Sequence, residues 1–281
     1  MRSFLTSILC LCMFCVFSYG QNCIPVHSID KDSLAYKPGE HYKYMMHYSW
    51  GALNSDVGWA TVDLDTLTMN GQKAFHVNVI GHTAGFYDIF FKVRENFQSW
   101  FTIDGLKPLK FYRSSLEGKY RARNLYNYIW DAGEPYIDAD VWSTSRGQRN
   151  EMLPLRECLY DLPTLYYVAR NMDFSKVEPG QRYPMTFAID EDICDVYFIM
   201  YGREEKKIKG LGTVDCIKFA AKLLAGTVFT GEADMMIWIS NDENRIPVYF
   251  EAPLLVGTAS GRLIEFSGTK YPVEVKNKKK R

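Results

Sequence analysis

Neither sign of charge is in excess in this chain of 281 residues, where 33 basic residues face 33 acidic ones. A whole-molecule field that would draw it onto nucleic acid or an anionic surface is therefore excluded. Long apolar runs are scarce as well. None reaches the ~18 residues that a membrane-spanning helix needs. Asn-x-Ser/Thr acceptors are absent, which fits a bacterial source. Beyond the first 20 residues the cysteines are only Cys23, Cys158, Cys194 and Cys216, a spacing too wide for a zinc knuckle or a CxxC redox pair. No Gly-x-Ser-x-Gly elbow, P-loop, GxGxxG, HxH or HExxH occurs, so recurrent nucleophile, phosphate-binding and zinc-hydrolase signatures are missing. A catalytic triad can be scattered along a chain, so an enzyme stays open as the alternative.

What is present begins with a targeting segment. Arg2 is followed by the apolar stretch Phe4 to Phe17 and then Ser18-Tyr19-Gly20. That order predicts a signal peptide over 1–20, cleaved after Gly20, and export to the periplasm or beyond. No cysteine follows a small residue in the way a lipid anchor requires, since Cys23 follows Asn22. Composition is 47% hydrophobic and 15% aromatic, enough to bury a core without disulfide staples. Cys23, Cys158, Cys194 and Cys216 survive cleavage. A Cys194–Cys216 bridge is conceivable, because the two flank the polar stretch Gly202-Arg203-Glu204-Glu205-Lys206-Lys207, which reads as a turn. Two buried free thiols are the preferred reading.

Strand signals dominate from Pro38 to Phe266. Val57 to Asp65 alternates with period two, Asn70-Gly71 marks a hairpin, and aromatic, β-branched runs follow at short intervals. The one helix signal is Asp161-Leu162-Pro163-Thr164-Leu165-Tyr166-Tyr167. Asp161 can cap it, Pro163 is tolerated in the first turn, and Leu162, Leu165, Tyr166, Ala169 and Met172 fall on one face.

The two β regions also echo each other. Gly71, Ala84-Gly85, Trp100, Asp104, Pro108 and Leu116-x-Gly118 recur in order as Gly212, Ala225-Gly226, Trp238, Asp242, Pro247 and Leu255-x-Gly257. The expected fold is mostly β: two related antiparallel units forming curved sheets or an open barrel, with one short connecting helix near 161–172. The expected divisions are a leader at 21–35, unit 1 at 36–150, a helical connector at 151–180, unit 2 at 181–270 and a basic tail at 271–281. Within each Trp hairpin, Trp anchors the core, Asp makes the turn and Pro starts the return strand.

Chemistry-bearing residues are dispersed. The pairs His41/His47 and His76/His82 supply no tight ligand set, so no metal is expected. Asp104 and Asp242 read as turn residues and Asp190-Glu191-Asp192 as a short acidic turn. Lys119, Arg121 and Arg123 share one strand face opposite Tyr120, Ala122 and Asn124, a solvated face and not a nucleic-acid platform. Phe86-Tyr87-Asp88-Ile89-Phe90-Phe91 reads first as a strand buried on both sides. Its alternative is a pocket wall or lid in which Phe86, Phe90 and Phe91 meet a ligand.

Several pieces together resemble domain-of-unknown-function family 3108, a set of exported bacterial proteins. They are Ser49-Trp50-Gly51, the Ser99-Trp100 to Pro108 hairpin, Glu117-Gly118-Lys119-Tyr120, the Asp161 to Tyr167 helix, Gly212 to Cys216, and Trp238 to Pro247. The resemblance spans roughly 36–268. It implies export and a β-rich fold and carries no catalytic residues and no cofactor. The Trp hairpin also looks like those of periplasmic lipoprotein carriers, a likeness of fold alone. The expectation is an exported, non-enzymatic binding protein for a lipid, glycan or other envelope ligand. An envelope hydrolase and a structural or protein-interaction module are the alternatives.

Overall fold

The computed structural model describes residues 23–26, 32–69, 71–222 and 234–276. The signal segment, Asn70, the Ala225-Gly226 echo and the end of the basic tail lie outside them.

Among the described residues fifteen strands form one sheet. The first run is a meander: β1 (Glu40–Trp50), β2 (Leu53–Met69), β3 (Gln72–Thr83), β4 (Val93–Thr102), β5 (Pro108–Glu117), β6 (Tyr120–Ile129), β7 (Tyr136–Ser143) and β8 (Gly147–Pro154). A two-residue strand β9 (Leu159–Tyr160) and helix α1 (Leu162–Ala169) follow. A second meander runs through β10 (Arg182–Ile189), β11 (Asp192–Ile208), β12 (Gly212–Lys222), β13 (Asp234–Ser240), β14 (Pro247–Pro253) and β15 (Thr258–Ser267). β1 pairs antiparallel with β15, which joins the meanders at the centre and leaves β8 and β9 as the outer edges. All pairings are antiparallel except β9 with β10. β8 runs across the expected division at 150.

A twisted sheet this wide cannot stay flat, since open sheets beyond about ten strands curl or split. This one curls around its own apolar face. Tyr42, Leu64, Val77, Phe101, Leu263 and Val248 of that concave face are buried with Tyr167 and Val168 of α1. Glycines let the curl tighten. A Cβ on Gly58 would stand 2.1 Å from the His82 carbonyl oxygen, and the Phe250 ring covers Gly261 across the ladder.

α1 forms where its signals predict. The Asp161 carboxylate accepts the Thr164 N–H at 2.9 Å, with proline in the first turn. The expected single apolar face is too narrow a description. Pro163, Thr164, Leu165, Tyr167 and Val168 are all buried, because the helix lies inside the curl and meets sheet on several sides.

Two expectations fail and one alternative falls. Among the described residues Cys194 and Cys216 are free thiols, as the preferred reading has it, with Cys216 buried and Cys194 half-buried, and the disulfide is Cys23–Cys158. Cys216 pairs with Glu204 in register, and Cys194 lies about 30 Å further up β11 at ~3.3 Å per residue. Gly202 to Lys207 is strand, not turn. β10 reaches only Ile199, so this part of β11 has a partner on one side and carries the charges that suit a sheet edge. Phe86 to Phe91 is not a buried strand. It is a loop with a 3-10 turn at Tyr87–Ile89, and Phe86, Phe90 and Phe91 are 67%, 75% and 51% exposed.

The Trp hairpins share one geometry. Each ladder shifts register just after its Trp, at Trp100/Phe101 and Trp238/Ile239. Thr102 and Lys107 exchange bonds at 2.9 and 3.0 Å, as Ser240 and Ile246 do at 2.8 and 2.9 Å. Leu106 and Arg245, each two residues before the proline, take positive φ of 49° and 52°. The Asp242 carboxylate accepts from Ser240 Oγ and the N–H groups of Asn244 and Arg245. At Asp104 the backbone carbonyl accepts the Thr102 hydroxyl instead. Both Trp side chains lie on the convex face. Trp100 stacks on His76, and Lys206 stands 3.6 Å over Trp238. Trp238 is 3% exposed and packs in the core cluster with Ile239, whereas Trp100 is half-buried and the neighbouring Phe101 fills the core.

Candidate functional site

Strand register decides which side chains line the concave face above α1. One row runs Tyr44, Ala60, Gly81, Glu95, Ser115, Ala122, Ser143 across β1–β7. The row below runs Tyr42, Val62, Val79, Phe97, Arg113, Asn124, Val141. In the other direction Met46 continues through Gly261, Phe250, Ile237 and Phe219 to Met200. The wall is therefore two-toned, polar across β4–β6 and apolar across β12–β15. Met46, Ala60, Val79, Phe97, Ile237 and Phe250 are only half-buried, although they sit on the face that α1 seals lower down.

The polar wall is held by burial and internal pairing. Glu95 accepts the Ser115 hydroxyl at 2.5 Å on Oε2, while its buried Oε1 has no partner among the described residues. Burial, offset by the Ser115 bond and reinforced by Glu117, pushes the Glu95 carboxyl up to about 7. Burial also raises Glu117, against the pull of Arg113. Arg113 donates to Ser115 Oγ at 2.8 Å and to Asp190 at 3.0 Å.

Asp190 arrives from the opposite edge region of the sheet. The β10–β11 tip folds across the opening and docks on the inner side of β5–β8. Asp190 also accepts from Asn124 at 3.0 Å, and the Tyr126 hydroxyl donates to its carbonyl. Glu191 accepts from Arg149 at 2.9 Å and from Arg146. The expected acidic turn is thus a clasp whose counter-charges are arginines. Apolar contacts reinforce it, with Leu159, Ala188 and Ile193 packed against Phe111, Ile137 and Val141.

Below, a second polar node locks α1. Arg170 is buried and makes a two-pronged pair with Glu40 at 2.6 and 3.0 Å. It also donates to the Asn244 carbonyl at 3.1 and 2.8 Å. The rings of Tyr36, Tyr42, Tyr166 and Tyr167 surround it at 5.1–5.9 Å. At the other end of the helix Asp161 accepts the Ser99 hydroxyl at 2.5 Å, and burial raises its carboxyl to about 6.

The structure brings the anticipated residues together only in part. Phe86, Phe90 and Phe91 sit at the rim of the concave face and not inside it. Asp104 and Asp242 lie in hairpins at the opposite end of their strands from that rim. Lys119, Arg121 and Arg123 are exposed outside, as alternation predicts. His41 pairs with Asp63 and His47 with Asp56. Among the described residues no three His, Cys, Asp or Glu converge as a metal site, and no helix is long and apolar enough to cross a membrane. A separate cleft of about 690 Å³ lies between Phe174, Arg203, Asp242 and Tyr271, where Asp242 is already occupied by its own hairpin. Sequence reasoning missed Glu95, Ser115 and Glu117, and period two along Val93–Glu117 was the available signal.

The family description "Protein of unknown function (DUF3108)" matches residues 43–264, most of the chain. The chain belongs to the DUF3108 family. No curated protein matches it. Among solved structures, this DUF3108 chain is similar to a beta-barrel-like protein of domain of unknown function DUF1849 from Brucella abortus. That likeness has a TM-score of 0.53 at 10% identity and covers 84% of this chain and 100% of the other. At that identity it shows a shared fold alone.

Proposed function

We propose that this DUF3108 protein is an exported, non-enzymatic binding protein that holds an amphipathic envelope ligand, a lipid or lipid-linked glycan, on its upper concave face. The observation that carries this reading is the two-toned, half-exposed wall above α1. Pockets for amphipathic molecules combine an apolar lining with a few placed polar groups. The apolar body rests against Met46, Ile237 and Phe250, and the polar head reaches Glu95, Ser115 and Arg113. Export is supported by the leader sequence and by a disulfide, which persists in oxidising compartments. The matching hairpins support descent of the two meanders from one duplicated unit.

The test is mass spectrometry of material extracted from protein purified out of its native envelope, for the wild type and for Gly81→Leu. A Cβ at Gly81 would be in ordinary contact with Glu95 Cβ and Ala60 Cβ, at 3.7 and 3.9 Å, and it lies on the concave face in the row of the proposed site. The wild type yields a stoichiometric lipid or glycan and the variant loses it while staying folded. An empty wild type, or equal loading of both, removes the reading.

One observation favours the second reading, an envelope hydrolase. Glu95 and Glu117, both raised by burial, lie close to Ser115 and Arg113, and perturbed carboxyls cluster at catalytic sites. Ester or glycoside turnover abolished by Glu95→Gln supports it, and no turnover over a substrate panel dismisses it.

A further inference from the structure

Eight of the eleven large apolar side chains exposed among the described residues gather at one end of the curled sheet. They belong to three connections. Trp50 and Leu53 flank the β1–β2 turn, at 59% and 42% exposed. Phe86, Ile89, Phe90 and Phe91 stand on the β3–β4 loop, where Ile89 is 78% exposed. Leu255 and Val256 form the β14–β15 turn.

Contacts fix these tips side by side. The Tyr48 hydroxyl donates to the Val256 carbonyl at 2.9 Å, binding the third turn to the first. Ser55 and Tyr87 share a 2.5 Å hydrogen bond, and Ala84 N–H reaches the Val57 carbonyl at 2.8 Å, binding the loop to the first turn. Gly118 N–H donates to the Lys92 carbonyl at 2.8 Å, and the Phe91 ring lies against Gly118, so the β5–β6 turn joins them. Asp88 is neutralised by Arg94, which stops the loop from carrying a free acid among its phenylalanines.

The exposed charges beside the tips are basic, while the acid Glu117 next to Gly118 is half-buried with its carboxyl raised by burial. The acids Asp56 and Asp88 are each held by an arginine, Arg262 and Arg94. Lys92 and Lys119 are exposed beside Phe91 and Gly118.

We infer that this rim docks on an anionic lipid bilayer. Exposed apolar side chains on three adjacent turns, with Lys92 and Lys119 beside them, match an interface that accepts shallow insertion at each point. Tryptophan and phenylalanine bury their rings at the headgroup boundary, and neighbouring lysines meet anionic headgroups there. Exposed apolar patches of this kind mark interaction surfaces. The inference goes beyond ligand binding and stands without it, because the rim is outside the concave wall.

Co-sedimentation of the mature protein with phosphatidylcholine vesicles, with and without phosphatidylglycerol, tests it. Binding is expected to the anionic vesicles and to weaken when salt rises from about 0.1 to about 1 M, which shortens the screening length from about 10 to about 3 Å. The Ile89→Ser/Phe90→Ser double variant lowers affinity about tenfold or more, as expected for losing two inserted apolar side chains. Lys92→Glu/Lys119→Glu lowers it on anionic vesicles only. Met152→Ser, which removes a side chain 70% exposed on β8, leaves binding unchanged. Absence of vesicle binding by the wild type, or equal binding by the Ile89/Phe90 variant with an unchanged melting temperature, overturns the inference. So does self-association in sedimentation velocity that the same variant abolishes, since the rim would then be covered by a second copy. Ligand extraction is scored separately, so an empty interior with a membrane-binding rim distinguishes the two proposals.

Discussion

Arg170 shows what one side chain can hold together. It ties the end of α1 to Glu40 at the start of β1 and to Asn244 in the β13–β14 hairpin, with four tyrosine rings around the guanidinium. Removing one partner of a buried pair leaves an uncompensated charge. Arg170→Met is therefore expected to cost about 3–5 kcal/mol in denaturant unfolding, with part of it regained in Arg170→Met/Glu40→Gln. Asp161 works in the opposite sense. Its folded-state carboxyl is raised to about 6 from 3.8, so its stabilising contribution is complete below pH 3.8 and is lost as pH rises through about 6. Asn keeps the Oδ1 acceptor for Ser99 and Thr164 without the ionisation. Relative to wild type, Asp161→Asn should gain up to about 3 kcal/mol between pH 4 and pH 7.5. Urea melts at both pH values check this, and a pH-independent difference would contradict it.

At the scale of elements, the β10–β11 tip is the piece whose role depends most on distance in sequence. Its Asp190 and Glu191 meet Arg113, Asn124 and Arg149 across the opening. Asp190→Ala leaves the buried Arg113 guanidinium without that acid and should destabilise by about 2–3 kcal/mol. Amide exchange should quicken over residues 186–196 before it does in β1–β3. Local chemistry made other elements legible. The Asp161 cap and Pro163 specify a helix start within four residues, and the hairpin prolines open β5 and β14 as written. Elements defined by their neighbours were not legible. Gly202 to Lys207 carries charge because β10 stops short of it, and Phe86 to Phe91 has strand composition because its aromatics face outward. Neither fact is encoded in the stretch itself. Glu95 lies in β4, and only the register with Gly81 and Ser115 reveals that it faces inward.

For the whole molecule, the mostly β class and the connecting helix followed from periodicity, whereas the single sheet of both meanders needed the β1–β15 pairing. The Cys23–Cys158 disulfide joins the chain's beginning to the segment just before α1, across 135 residues of sequence. In the chain-entropy account a loop of that length stabilises by up to about 5 kcal/mol. Cys23→Ser should lower the melting temperature, and reductant should lower the wild type to the same value while leaving the variant unmoved. A reductant-insensitive wild type would show that the bridge contributes nothing.

The seam between β8 and the β10–β11 tip has a geometric consequence. In a closed barrel, strand number and shear fix the diameter, because every strand must complete a hydrogen-bonded circuit. Here the circuit is completed by carboxylates, guanidinia and apolar side chains, with no shared ladder. The circumference is then a continuous quantity, set by side-chain length at the seam. Substitutions at Arg113, Arg149, Asp190 and Glu191 can therefore widen or narrow the interior without adding a strand.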